Sequence, residues 1–376
     1  KDGLIETVEN GIPRIDFLGN TKGALFLEPS RTNSYTYSED FTKSTWNKIN
    51  VNVTPNAVIS PDGTLNASKI TSDATAAQGV IIYDNSIPAS SSSEFTLTCY
   101  LKAAEVKWVQ VFFGTGSTTG NPYANFDIVN GTLGTVSSGL AVNTEAYLNG
   151  FYKITITATA LGTTVSPYFA AAKTGTDTRS MATNNWNAGD GFFMWGAQLE
   201  VGSYATSYIP TQGSAATRVA GNTNQTPPDG VIGQTEGTMF FEIDFANISG
   251  VSGAWSISNG SSANRITMNT TTSGLREFIL SVAQNYNSGS TKLMSTNVTF
   301  SDNHKVAIKY SGTTLKLFVD GQLSDSVTAD GFGNYTNFYL GGNHSGVYGG
   351  DTRKFIQADL YNTALTDAEL QSLTTI

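Results

Sequence analysis

Short runs of alternating apolar and polar residues, separated by clusters of Gly, Asn, Ser and Pro, recur from one end of this chain to the other. A period of two puts every second side chain on one face of an extended strand. Runs this short, with turn residues between them, predict antiparallel strands rather than β/α units. In the first part the predicted strands are 14–17, 23–28, 67–71, 79–83, 94–103, 107–113, 124–127, 150–158, 166–172 and 191–200. In the second they are 238–245, 265–269, 277–283, 304–310, 314–319, 322–327, 337–341 and 354–361. The expected fold class is all-β, two β-sandwich (jelly-roll) domains in tandem with a short C-terminal helix. That helix is announced by Thr366-Asp-Ala-Glu369, a capping box, followed by Leu370 and Leu373. Asp320-Gly321 between two alternating runs predicts a two-residue hairpin turn.

The stretch 211–236 carries few large apolar residues and several Gly, Asn and Pro, the marks of a linker. It divides the chain into an expected first domain at 1–220, a linker at 221–236 and a second domain at 237–376. Within the first domain, alternation puts Phe95, Leu97, Cys99 and Leu101 on one face, so Cys99 is read as a buried core thiol. The strand around Trp108 has Trp108, Gln110 and Phe112 on one face and Val109, Val111 and Phe113 on the other. Both faces are largely apolar, and Trp108 is expected in a core. Alternation from Phe193 likewise groups Phe193, Trp195, Ala197 and Leu199, with Trp195 in the core.

Composition narrows the function classes. The 376 residues include two histidines and one cysteine, so the usual supply of general acid/base, thiol and zinc chemistry is scarce. One cysteine cannot form an internal disulfide. A formal net charge of −9 argues against binding a nucleic-acid backbone, which needs clustered Lys and Arg. No apolar run approaches the ~18 residues of a membrane-spanning helix, so no membrane insertion is expected. The opening Lys1-Asp2-Gly3 is unlike a signal peptide, and a longer parent protein is expected.

Candidate binding residues come from polar, turn-rich segments. Trp186 lies in Met181-Ala-Thr-Asn-Asn-Trp-Asn-Ala-Gly-Asp190, where no alternation buries the indole. A partly exposed Trp there suits stacking on a pyranose, with Asn185 and its neighbours bonding hydroxyls; a loop anchor or subunit contact are the alternatives. Tyr123, in Gly120-Asn-Pro-Tyr-Ala124, has the same standing. In the second domain, Gly341-Gly-Asn-His-Ser-Gly-Val-Tyr-Gly-Gly-Asp351 followed by Arg353 brings together Asn343, His344, Tyr348, Asp351 and Arg353 as a rim loop for a ligand, or an ordinary loop tip. His304 is read as a turn contact. No catalytic residue is assigned. No cofactor is expected except that calcium stays open with no ligands assigned, because Asp127, Asp190, Asp229, Asp330 and Asp351 lie near turns without an Asp-x-Asp-x-Asp-Gly loop.

Several blocks resemble a known family. Gly23-Ala-Leu-Phe-Leu-Glu-Pro-Ser-Arg-Thr-Asn33, Tyr37-Ser-Glu-Asp-Phe41, Trp46-Asn-Lys48, Ser60-Pro-Asp-Gly63, Trp195-Gly-Ala-Gln-Leu-Glu-Val-Gly-Ser203 and Ala205-Thr-Ser-Tyr-Ile-Pro210 resemble, in order, the phage head-spike or head-fibre domain, with similar modules in tail fibres. Gly237-Thr-Met-Phe-Phe-Glu-Ile243, Lys316-Leu-Phe-Val-Asp-Gly321 and Ala358 to Leu370 resemble the concanavalin A-like or laminin G-like sandwich. The resemblance implies a virion-surface, extracellular protein among other virion subunits, expected as a homotrimer. The leading expectation is a non-enzymatic adhesin for a host-surface or mucus glycan. The alternatives are a polysaccharide depolymerase or lyase on the same fold, and a purely structural capsid decoration.

Overall fold

Where the alternating runs lie along the chain, the computed structural model has strands, and it describes residues 4–9, 11–17, 22–74, 77–179, 185–221, 223–247, 252–261, 264–270, 278–283, 292–295, 303–329, 331–342 and 352–376. Among the described residues the chain is all-β apart from a short 3-10 turn and the terminal helix, and it forms two units. One comprises Lys1–Thr7 and Arg31–Arg218, the other Val8–Ser30 and Val219–Ile376.

The first unit is a sandwich of two six-stranded sheets. One runs in the order Ala141–Ala146, Tyr152–Thr159, Glu94–Ala103, Gly191–Val201, Leu65–Ser72, Val51–Ile59. The other runs Thr132–Val136, Tyr123–Asp127, Trp108–Phe113, Pro167–Ala172, Ile81–Asp84, Trp46–Ile49. Their inner faces close on one core in which Phe95, Leu97, Cys99 and Leu101 meet Val109, Val111, Phe113, Phe126 and Phe169. An edge-to-face contact between Phe95 and Phe113, centroids 5.2 Å apart, joins the two sheets. Trp46 closes one end, stacked on Tyr35 at 4.9 Å, with its indole N–H donating to the Tyr37 carbonyl at 2.9 Å. Cys99 is fully buried, and burial pushes its thiol pKa up.

One alternation breaks. A register shift opposite Thr98/Tyr100 accompanies Gly196, whose φ of 64° is a conformation glycine adopts without strain. The bulge switches faces: Met194, Ala197 and Leu199 enter the central core, while Phe193 and Trp195 join a second cluster with Tyr100 and Phe151 on the opposite face. Trp195 is buried as expected, but in a different cluster from Ala197 and Leu199.

In the second unit a seven-stranded sheet runs Ile15–Asp16, Ala24–Leu27, Thr352–Tyr361, Glu236–Asn247, Asn303–Ser311, Thr314–Val319, Gln322–Thr328. Its partner runs Thr223–Gln225, Asn337–Leu340, Ser252–Ser258, Arg265–Thr270, Phe278–Ala283, Lys292–Ser295. Trp255 anchors the core, stacked on Phe241 at 4.7 Å. Two boundaries differ from the sequence reading. Ala24–Leu27, placed there in the first domain, pairs with the strand Thr352–Tyr361 through Leu25↔Phe355 and Leu27↔Arg353. Residues 223–225, placed in the linker, pair with Asn337–Leu340, and Ile232 is buried in the core.

Local signals behave as read. Asp320 and Gly321 both have positive φ, 48° and 79°, between paired Val319 and Gln322, the geometry of a type I′ hairpin. His304 meets that turn, Nδ1 to Asp320 Oδ2 at 2.7 Å. The helix Asp367–Thr374 starts at the reciprocal Thr366/Glu369 capping box and sets Leu370 against Phe240, Ala307 and Phe318.

Candidate functional site

Strand register in the first unit assembles a feature that no single segment contains. On the outer face of the sheet that carries Trp108, Tyr83 is paired with Tyr168, Tyr168 with Phe112, and Phe112 with Tyr123. Cross-strand neighbours on one face are close enough for rings to touch. Here Tyr83 and Tyr168 stack at 4.2 Å with 9° between planes, and Phe112 continues the stack on Tyr168 at 4.8 Å. The three tyrosines are half-buried and Phe112, between Tyr168 and Tyr123, is buried, so the row is open at its tyrosines. Burial raises the Tyr168 phenol above its usual range, Tyr83 adds to the rise, and the Arg179 cation opposes it; the hydroxyl stays protonated and able to donate at neutral pH.

The neighbouring rows of the same face are covered by the chain itself. Gln110 and Asn125, opposite each other and fully buried, share a 2.8 Å hydrogen bond. Buried amides must find partners, and these find the loop 173–179. Asn125 Nδ2 donates to the carbonyls of Gly175 at 3.0 Å and Asp177 at 2.8 Å, and Gln110 Nε2 donates to that of Thr178 at 3.2 Å. The loop presses on Trp108: a Cβ on Gly175 would meet its ring at 2.6 Å, and a Cβ on Gly134 would meet the Gly175 carbonyl at 2.3 Å. At the end of the loop the Arg179 guanidinium lies over the Phe112 ring, 4.9 Å from its centroid, and donates from Nη2 to the Phe113 carbonyl at 2.7 Å.

At the Tyr123 end the row runs into a cleft of about 600 Å³, lined by Thr119, Gly120, Pro122, Tyr123, Thr135, Ser137, Ser138 and Gly139. The backbone around it is held by Tyr123 N–H donating to Ser137 Oγ at 3.1 Å and Ser137 N–H to the Tyr123 carbonyl at 2.9 Å. Its lining is hydroxyls, backbone and one phenol ring, with no charged side chain.

Of the residues singled out from sequence, Tyr123 stands in this cleft. Asn185 is exposed and pairs with Gln78. Trp186 is corrected: it pairs with Ala77, its ring is buried in the central core, and Lys173 Nζ caps it 3.4 Å from the centroid, so it offers no open face to a sugar. Arg353 is also corrected: it is fully buried in the strand Thr352–Tyr361, with no exposed side chain to meet a ligand. Asn343, His344, Tyr348 and Asp351 lie outside the described residues. Sequence reasoning missed Tyr83, Phe112, Tyr168 and Arg179. The available signal was a strand, 107–113, apolar on both faces although a sandwich sheet has only one face on the core.

Several carboxylates have turn-holding work. Asp127 accepts from the N–H groups of Val129 and Asn130, both at 3.0 Å, and Asp190 from Asn187 N–H at 3.0 Å. Among the described residues no group of three or more His, Cys, Asp or Glu converges. Glu39 and Asp62 are bridged by Asn66 Nδ2, at 3.3 and 3.0 Å. Burial raises Glu39, with Tyr208 opposing; at Asp62 burial is outweighed by donors from Ser60, Thr64 and Asn66, which hold it low.

No family model matches this chain, and no curated protein sequence does. Solved structures similar to parts of it include the CBM40 of Ruminococcus gnavus IT-sialidase, 18% identical over 38% of this chain and 84% of that one, with a TM-score of 0.33. The NanB sialidase from Streptococcus pneumoniae is 15% identical over 41% of this chain and 26% of its own, TM-score 0.36. The botulinum neurotoxin serotype G binding domain is 9% identical over 40% of this chain and 39% of its own, TM-score 0.34. At these scores the likeness says nothing about a ligand.

Proposed function

We propose that this chain is a non-enzymatic adhesin on a phage virion surface, a head-fibre or tail-fibre component that holds host-surface or mucus glycans. The observation that carries the glycan reading is the half-open aromatic row ending in the hydroxyl-lined cleft at Tyr123. A phenol ring offers apolar area to the C–H face of a pyranose, and serine and threonine hydroxyls both donate to and accept from sugar hydroxyls. The lining holds no carboxylate, histidine, lysine or arginine, and its one titratable group is the Tyr123 phenol. The blocks resembling phage head-spike domains support the virion role, and several copies on one particle, in the homotrimer expected from that resemblance, turn weak single contacts into useful avidity.

The runner-up is a depolymerase, and the feature that favours it is the Glu39/Asp62 pair with its opposed pKa displacements. Against it, Asp62 Oδ1 already accepts from Ser60, from Thr64 N–H and from Thr64 Oγ1, and Glu39 from Tyr208 and Asn66. Both carboxylates are engaged as clamps.

A host-polysaccharide and glycan array, read for retention and for released reducing ends, tests the reading. Saturable retention of unaltered glycans is expected, weakened about tenfold (~1.4 kcal/mol) in Tyr123→Ala at a temperature where the variant is folded. Release of reducing ends or unsaturated products would overturn the non-enzymatic reading, and an empty array would leave a structural decoration.

A further inference from the structure

The cleft is uncharged, but a cation stands over the row beside it. Arg179 stands over Phe112, whose cross-strand neighbour is Tyr123 in the cleft wall, so it belongs to the same outer face as the cleft. A guanidinium carries five N–H donors. One, on Nη2, is spent on the Phe113 carbonyl, and Nε is enclosed with no partner. Among the described residues no carboxylate pairs with this side chain, in a chain where acidic residues outnumber basic ones 30 to 21. Asp177, two positions away, turns into its own loop, accepting from Thr174 Oγ1 at 2.5 Å and Lys173 N–H at 2.8 Å. The loop that delivers Arg179 is held by four amide-to-carbonyl bonds from buried Gln110 and Asn125, and the guanidinium rests over the Phe112 ring. The side chain is therefore held in place before any ligand arrives, with its Nη1 end and second Nη2 hydrogen uncommitted.

We infer that Arg179 makes this face selective for acidic saccharides, its two-pronged Nη end taking the carboxylate of the sugar residue next to the one in the Tyr123 cleft. The inference rests on the glycan reading above. It adds the class of glycan: polymers carrying uronate-type carboxylates, rather than neutral ones. Planar, bidentate carboxylate recognition is the task for which arginine differs from lysine.

The test uses matched polymers. Polygalacturonate, alginate and hyaluronan are each presented beside their carboxyl-reduced forms at 0.15 M salt, ~8 Å Debye length, to the full chain and to Arg179→Gln and Arg179→Lys. Wild type is expected to retain at least one acidic polymer about tenfold more tightly than its reduced form. Arg179→Gln erases that preference while residual retention of the reduced form persists. Arg179→Lys keeps the charge, loses the fork, and loses most of the preference; it carries the test should the Gln variant not fold. Equal retention of both members of every pair overturns the Arg179 inference and leaves glycan binding standing. Retention of neither member, together with an empty neutral array, overturns the glycan reading itself. Dextran sulfate held as tightly as the carboxylated polymers would overturn the carboxylate assignment in favour of plain charge attraction.

Discussion

Asp84 is a carboxyl the first unit could do without. It ends the strand Ile81–Asp84 opposite Trp46, is largely buried, and has its pKa pushed from 3.8 up to about 6 by burial, against help from only the Asn85 backbone N–H. Because the folded value is the higher one, the folded chain binds a proton that the unfolded chain releases between those limits. The contribution to stability is full below pH 3.8 and is lost as pH rises through 6. A fully dry site would make this about 3 kcal/mol; with the screening that a partly wetted carboxyl receives, about 1–2 kcal/mol is the working figure. Asp84→Asn keeps the shape of the protonated acid and removes the titration. Urea melts at pH 4 and pH 7.5, followed by near-UV circular dichroism of the Tyr35/Trp46 stack, should show the variant about 1–2 kcal/mol more stable than wild type at the higher pH and equal to it at the lower. A variant that is no more stable at pH 7.5 would refute the reasoning, since it would mean the folded state supports the charge.

The remaining predictions test the structural assignments. Trp186→Ala should cost about 3–5 kcal/mol in urea melts, as a core residue does, and leave glycan retention intact at temperatures where the variant is folded. Thr366→Ala should cost about 1 kcal/mol by removing the capping box of the terminal helix, read as a lowered thermal midpoint of the second unit. Gly175→Ala drives a methyl into the Trp108 ring, 2.6 Å from its nearest atom, and should displace the loop that presents Arg179. Its expected signature in the matched-polymer assay is loss of the preference for carboxylated glycans.

What was legible in the sequence was what chemistry settles within a few residues. The type I′ turn at Asp320-Gly321, the Thr366/Glu369 box and the inward face of Phe95, Leu97, Cys99 and Leu101 each depend on neighbours in the chain, and each stands as read. Pairings across long separations were not legible. Nothing near Ala24–Leu27 says that its partner is Arg353 to Phe355, more than 300 residues on, and a linker-like composition at 223–225 does not forbid a short edge strand. Trp186 was misread for the same reason: the segment around it is polar, its strand partner Ala77 lies roughly a hundred residues earlier, and its ring enters a core built from other strands. At Gly196 a single bulge moved Trp195 off the face that strict alternation assigns to it.

The candidate site shows why such a face leaves only a faint trace in sequence. Tyr83, Tyr168, Phe112 and Tyr123 come from four strands whose order in the sheet is not their order in the chain, so no motif spans them. The trace that exists is the strand Trp108–Phe113, apolar on both faces but for Gln110. A sandwich sheet needs one apolar face for its core; a second must be covered or used. Here both occur. Gln110 marks the covered part, because a buried amide in an apolar row requires carbonyls delivered to it, and the loop 173–179 supplies them. Tyr168 and Tyr123 mark the used part, on either side of a buried Phe112 over which the loop sets a cation instead of another carbonyl. The buried amides that fasten the loop thereby also hold the segment that carries Arg179. The selectivity proposed for this face depends on Gln110 and Asn125 even though neither is exposed to a ligand.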